Sequence, residues 1–200
     1  MTPELHDLII GQLAQHRIMA LATNRSDGWP QATTVSYVND GLSLYCFIAR
    51  VGQKFANILR DPRVSIAIGG DFNAPEAIKG ISLAGKAKLV DDRSEFERVW
   101  ILLTKRFPEY AGWTRPSPAF APLFRIDPEI ISVLDYSKGF GHSDLVVVTE
   151  LDRKTRAETK SQDWLGQGKP APKPVVPAVR PTGWRSAMRF LPDYIRGHKA

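Results

Sequence analysis

The sequence predicts a mainly β protein, an antiparallel barrel carrying peripheral helices. Three observations lead there. Short β-branched runs follow one another closely between residues 17 and 68. The signal Asn39-Asp40-Gly41 joins two of them, and these residues tolerate the left-handed geometry of tight hairpin turns. Helical periodicity appears in short inserts between the runs, and no strand is followed by a glycine-rich dinucleotide loop.

Taken in order, residues 3–16 open as a helix with Leu5, Leu8, Ile9 and Leu13 on one face. Thr2 is placed to cap it, and Pro3 to take the first helical position, where a missing N–H costs nothing. Residues 17–23 follow as a strand and Ser26-Asp27-Gly28 as a turn. Residues 31–38 alternate and are β-branched, as a half-buried strand should be. Residues 42–49 pair back across the hairpin. From Gly52 the period changes, with Phe55, Ile58 and Leu59 at helical spacing. Asp61-Pro62 ends that helix, because proline disfavours helical geometry in its predecessor.

Further strands are expected over 64–68, 78–89 and 120–135. Gly80 and Gly85 mark bulges or points of close backbone approach. Asp91 or Asp92 opens a helix to about residue 105, with Phe96, Val99, Trp100 and Leu103 as its apolar stripe. A loop rich in proline and aromatic residues follows it.

Two hundred residues suit one domain with a sizeable core, or one domain plus an appendage. No run approaches the ~18 apolar residues that span a membrane, and MTPELHDLII lacks a basic leader region, so a cytoplasmic protein is expected. Cys46, the single cysteine, excludes an internal disulfide and a cysteine-built metal site. His6, His16, His142 and His198 show no ligand spacing, and no metal is expected.

Charge divides the chain. Residues 151–200 hold 11 Lys and Arg against 4 Asp and Glu, together with six of the fifteen prolines, whereas residues 1–150 hold 16 against 17. A folded domain over 1–150 and a basic, Pro-rich C-terminal arm over 151–200 are expected. Trp184, Met188, Leu191 and Ile195 recur at amphipathic spacing in the arm, interrupted by Pro192. The arm alone makes no strong case for nucleic acid or membrane as a partner.

The candidate site lies where a strand ends and a helix begins, at Ala49-Arg50-Val51-Gly52-Gln53-Lys54. Unpaired N–H groups and the helix dipole favour an anion there, and Arg50 and Lys54 add positive charge. Thr33, Thr34 and Ser36 supply hydroxyls from the preceding strand. Local chemistry alone leaves two readings: a site for an anionic group, such as the phosphate of a cofactor, or a solvated helix face.

The order of these elements weighs between them. Gly28-x-Pro30, TTVSY (33–37), NDGLSLYCFIA (39–49) and QKFANILRDPRVSI (53–66) together resemble the pyridoxamine 5′-phosphate oxidase-related family of FMN-binding split barrels. The likeness covers roughly residues 10–137. It implies a six-stranded antiparallel split β-barrel that forms a homodimer, with FMN in a groove between subunits and a small-molecule substrate. By position, Gln31, Ala32, Thr33 and Thr34 would lie along the isoalloxazine ring. Phe47, Ile48 and Ala49 would contact the ring and ribityl chain, and Gln53 and Lys54 would hold the phosphate. The hydroxyl that members place just before this lysine is absent. An FMN-dependent oxidoreductase of unassigned substrate is the leading expectation. Its rivals are a haem- or deazaflavin-binding protein and a flavin-binding module without turnover. Trp184, Arg189 and Pro192 faintly echo the ending of pyridoxamine phosphate oxidases, but their substrate-gripping arginine segment has no upstream counterpart.

Other candidates have structural alternatives. Lys86 and Lys88 suit exposed strand positions better than anion binding. His142, in Gly139-Phe140-Gly141-His142, fits a surface turn, or a residue facing flavin or substrate. Cys46 suits a small buried side chain. Trp113 either covers a pocket or anchors its loop.

Overall fold

The computed structural model describes residues 1–110 and 112–154, with backbone alone at 153 and 154. One antiparallel sheet dominates them. Its strands are β1 (Ile18–Asn24), β2 (Pro30–Ser36), β3 (Val38–Asp40), β4 (Ser43–Phe47), β5 (Arg63–Gly69), β6 (Lys79–Leu89), β7 (Leu123–Asp135) and β8 (Ser143–Val147). The order is β2-β1-β5-β6-β7-β4-β3, with β8 paired to β7 beside that path. β2 and β3 are consecutive in the chain yet end opposite sides of the sheet, so the sheet curls into a split barrel. Among the described residues, four α-helices lie around it: α1 (Pro3–Gln15), α2 (Gln53–Arg60), α3 (Arg93–Arg106) and α4 (Glu150–Lys154). The mainly β class with peripheral helices holds.

The described residues form eight strands where six were expected, for two reasons. The expected run 31–38 breaks at Tyr37, whose buried side chain donates from its hydroxyl to the Leu13 carbonyl at 2.8 Å. Its N–H donates to the Arg17 carbonyl, and the chain turns the corner from β2, paired with β1, to β3, paired with β4. The second addition is β8, which follows two glycines of positive φ, Gly139 (+138°) and Gly141 (+75°). In the hairpin, Gly41 and Leu42 form the loop, and Gly41 (φ +61°) is its first residue, where a II′ turn takes glycine.

Alternation along the strands builds the core. Met19 and Leu21 of β1, Val64, Ile66 and Ile68 of β5, and Ile81 and Leu83 of β6 point inward with Phe124, Ile126, Ile131 and Val133 of β7. α1 closes this core with Ile9 and Leu13, and α2 with Phe55 and Ile58. Leu59, expected on the buried face of α2, is 56% exposed. α3 packs Val99 and Leu103 against Val38, Tyr45 and Leu123 on the other side of the sheet. Thr2 and Asp92 cap α1 and α3 through their side chains.

Both flagged glycines are close approaches. A Cβ at Gly80 would stand 2.6 Å from the Ile68 carbonyl oxygen, and one at Gly85 would stand 2.5 Å from that of Asp127. The β6–β7 register shifts at Ala84/Gly85, opposite Pro128, which has no N–H for the ladder. The arm beyond residue 154, with its 184–195 segment, lies outside the described residues. No helix among the described residues is long and apolar enough to cross a membrane.

Candidate functional site

β4 ends at Phe47, and the chain reaches α2 through a tight turn in which Gly52 N–H donates to the Ala49 carbonyl at 3.0 Å. Gly52 is the N-cap and has no side chain, so the first-turn N–H groups receive no side-chain acceptor. Lys54 is half-buried in this first turn. It makes no ion pair or hydrogen bond to a described residue, and its charge bears on the Cys46 thiol. Arg50 is held differently. Its Nε donates to the Pro118 carbonyl at 2.8 Å, and its guanidinium lies 5.1 Å from the centre of the Phe55 ring. Arg50 therefore braces the loop before β7, and Lys54 is the uncommitted cation.

β2 divides its site residues between two faces. Gln31 and Thr33 are half-buried on the inward side, whereas Ala32 and Thr34 are exposed on the outer side. Thr33 Oγ1 is buried and has no hydrogen-bond partner among the described residues. Leaving a buried hydroxyl unpaired is costly. Thr34 instead lines an outer groove of about 640 Å³ with Ile18, Ala20, Ala67 and Ser82.

α2 reaches the inner face of β2 through Asn57, which is 1% exposed. Asn57 Nδ2 donates to Thr23 Oγ1 at 3.0 Å and to Gln31 Oε1 at 3.2 Å, and its Oδ1 accepts from Gln53 Nε2 at 3.0 Å. One buried carboxamide thus joins two of the expected cofactor residues, Gln31 and Gln53. Sequence reading missed Asn57 and Thr23. The available signal was a polar residue between Phe55 and Ile58 on the buried face of a short helix.

The remaining expected residues are placed plainly. The Phe47 ring packs edge-on against Phe96 and Trp100, at 6.2 and 6.3 Å, under α3. Ile48 is buried in the main core and Ala49 is half-buried. Lys86 and Lys88 are ion-paired with Glu129 (2.8 Å) and Asp127 (3.2 Å) along the ladder. His142 turns Nε2 toward Asp144 Oδ2, 3.4 Å away. Trp113 is largely exposed and leans on Tyr110, whose ring stacks on Phe107. Burial pushes the Cys46 thiol up to about 12 against the opposing pull of Lys54. Among the described residues, no three His, Cys, Asp or Glu side chains gather as a metal site.

Comparison with known proteins adds an independent line. The General stress protein 26 of Bacillus subtilis is 24% identical over 133 residues, which cover 66% of this chain and 89% of the relative. A candidate pyridoxamine 5′-phosphate oxidase from Listeria innocua is 30% identical, with a TM-score of 0.53 over 65% of this chain and 98% of that one. A haem-binding protein from Mycobacterium smegmatis shares the fold at a TM-score of 0.62 and 19% identity, over 78% of this chain and 62% of that one. The sequence model of the pyridoxamine 5′-phosphate oxidase family matches residues 2–134. On that match, which spans most of the described barrel, the chain belongs to the pyridoxamine 5′-phosphate oxidase family.

Proposed function

We propose that this chain is a flavoprotein that holds FMN between two copies of itself and acts as an oxidoreductase on a small molecule. The observation that carries this reading is Lys54, an uncommitted, half-buried cation in the uncapped first turn of α2. A phosphate there receives a point charge, first-turn N–H donors and the favourable end of the helix dipole. Gln31 and the unpaired Thr33 hydroxyl lie on the neighbouring inner face of β2 and suit the polar edge of a flat ring. When bound, the flavin supplies the redox chemistry, while the chain binds, orients and shields it.

The homodimer rests on two features. Gln31 and Thr33 of the site belong to β2, which ends the sheet, and Val51 at 90% and Phe120 at 64% stand exposed close to the α2 entry. Apolar side chains so placed suit cover by a second copy.

Haem is the second reading, favoured by the fold shared with the Mycobacterium smegmatis haem-binding protein. His142 lends it little, because its Nε2 faces Asp144 and has no solvent exposure. An absorption spectrum of the freshly purified protein, followed by titration of the stripped protein, separates the readings. A flavin spectrum with about one FMN per chain supports the first. Uptake of haem or deazaflavin, with FMN ignored, supports the rivals.

A further inference from the structure

The buried carboxamide of Asn57 carries a consequence for ligand recognition that rests on the flavin reading above. Gln31 has one amide oxygen and one amide nitrogen, and the oxygen accepts from Asn57 Nδ2 at 3.2 Å. In this arrangement the Gln31 oxygen faces α2. Its Nε2, a donor with two hydrogens, is left for the open side. Asn57 is itself held from both ends, by Thr23 Oγ1 at 3.0 Å and Gln53 Nε2 at 3.0 Å. It is also 1% exposed and so exchanges no hydrogen bonds with bulk water. Thr33, two residues along the same face of β2, adds a buried hydroxyl with no partner among the described residues.

We propose that Asn57 is a positioning residue that orients Gln31 to present its N–H donor, and not its carbonyl, to the ring of a bound flavin. A donor at Gln31 beside a hydroxyl at Thr33 matches a ring edge in which carbonyl acceptors flank an N–H, as in the pyrimidine half of isoalloxazine. It mismatches a ligand offering only donors. Asn57 acts through Gln31 and does not touch the ligand.

Asn57→Asp tests this at constant size. A carboxylate has no donor, so it draws the Gln31 amide nitrogen toward α2 and turns the carbonyl to the site. The experiment measures dissociation constants for FMN and riboflavin with the wild type, Asn57→Asp, Gln31→Ala and the double variant. Riboflavin isolates the ring from the phosphate. Asn57→Asp is expected to weaken both ligands by about tenfold. In the Gln31→Ala background the same change is expected to cost less than about twofold, because its intermediary is gone.

Thermal unfolding of each variant accompanies the cycle, since Asp at this buried position lowers stability whatever its effect on Gln31. Equal losses with and without Gln31 mean that Asn57 acts by supporting the fold, and overturn the inference. Unchanged or tighter flavin binding by Asn57→Asp also overturns it, by showing that Gln31 presents its carbonyl. A wild type that ignores both flavins removes the proposed function along with this inference. Flavin binding with additive losses removes the inference alone.

Discussion

The guanidinium of Arg106, in the last turn of α3, donates from Nη2 to the carbonyl of Leu13 near the end of α1, 2.9 Å away. The same nitrogen reaches the carbonyls of Ala14 at 3.0 Å and of His16. Arg106 also lies over the Tyr37 ring, 5.5 Å from its centre, and the Tyr37 hydroxyl donates to that same Leu13 carbonyl. The last carbonyls of a helix lack partners within it. A residue from the far side of the sheet supplies them here, and so pins α1 over the barrel.

Arg106→Ala is expected to lower stability by about 2–3 kcal/mol, because it removes charge-assisted hydrogen bonds and leaves the part-buried His16 carbonyl without its donor, while Tyr37 still serves the Leu13 carbonyl. Arg106→Lys keeps the charge but loses the guanidinium plane over the Tyr37 ring, and should recover less than half of that. Urea unfolding measures both. A Lys variant as stable as wild type would mean that charge alone holds α1.

Gly85→Ala is expected to cost about 1–3 kcal/mol, since its methyl carbon would stand 2.5 Å from the Asp127 carbonyl oxygen. The contact is backbone, which has little freedom to retreat at a bulge between two long strands. Thermal unfolding reads the loss. An unchanged midpoint would mean that the β6–β7 bulge shifts freely.

These glycines show how much was legible in the chain. Gly80 and Gly85 stood out because a strand interior rarely keeps glycine without a steric reason, and the hairpin, the α2 stop at Asp61-Pro62 and the mainly β class followed from equally local rules. The break at Tyr37 was not local. It depends on α1 and Arg17 lying beneath that residue, and a β-branched run looks continuous without them. β8 was hidden by the glycine turn before it, although Leu145-Val146-Val147-Val148 carried a strand signal. At the site, Lys54 was legible from its place after the strand. Asn57 showed only as a polar residue on the buried face of a short helix, because its worth comes from Thr23 and Gln31, which only the fold brings beside it.

Acid stability should depend on Asp61. Hydrogen bonds from the Arg63 side chain, then from Asn24 and the Arg63 backbone, hold its carboxyl well below the usual carboxylate range. A folded-state value below the unfolded one stabilises the protein above the ordinary carboxylate value, about 4, and this is lost as pH falls through the depressed value. Urea midpoints between pH 7 and pH 2.5 should therefore fall less steeply for Asp61→Asn than for wild type. Parallel acid limbs would assign the decline to other carboxylates.

Cys46 should be inert in the folded protein. It is buried, and its thiol is pushed up to about 12, so almost no thiolate exists at pH 8. Ellman's reagent at that pH should react only at the rate of unfolding and rapidly in denaturant. Prompt labelling under native conditions would show that the core opens at β4.

The role of Lys54 is tested most directly by titrating Lys54→Ala with FMN and with riboflavin, beside the wild type. If Lys54 holds the phosphate, FMN affinity should fall by about ten- to a hundredfold, as expected for a charge-assisted contact of ~1.5–3 kcal/mol, while riboflavin affinity barely changes. Equal losses for the two ligands would contradict a phosphate site at the start of α2.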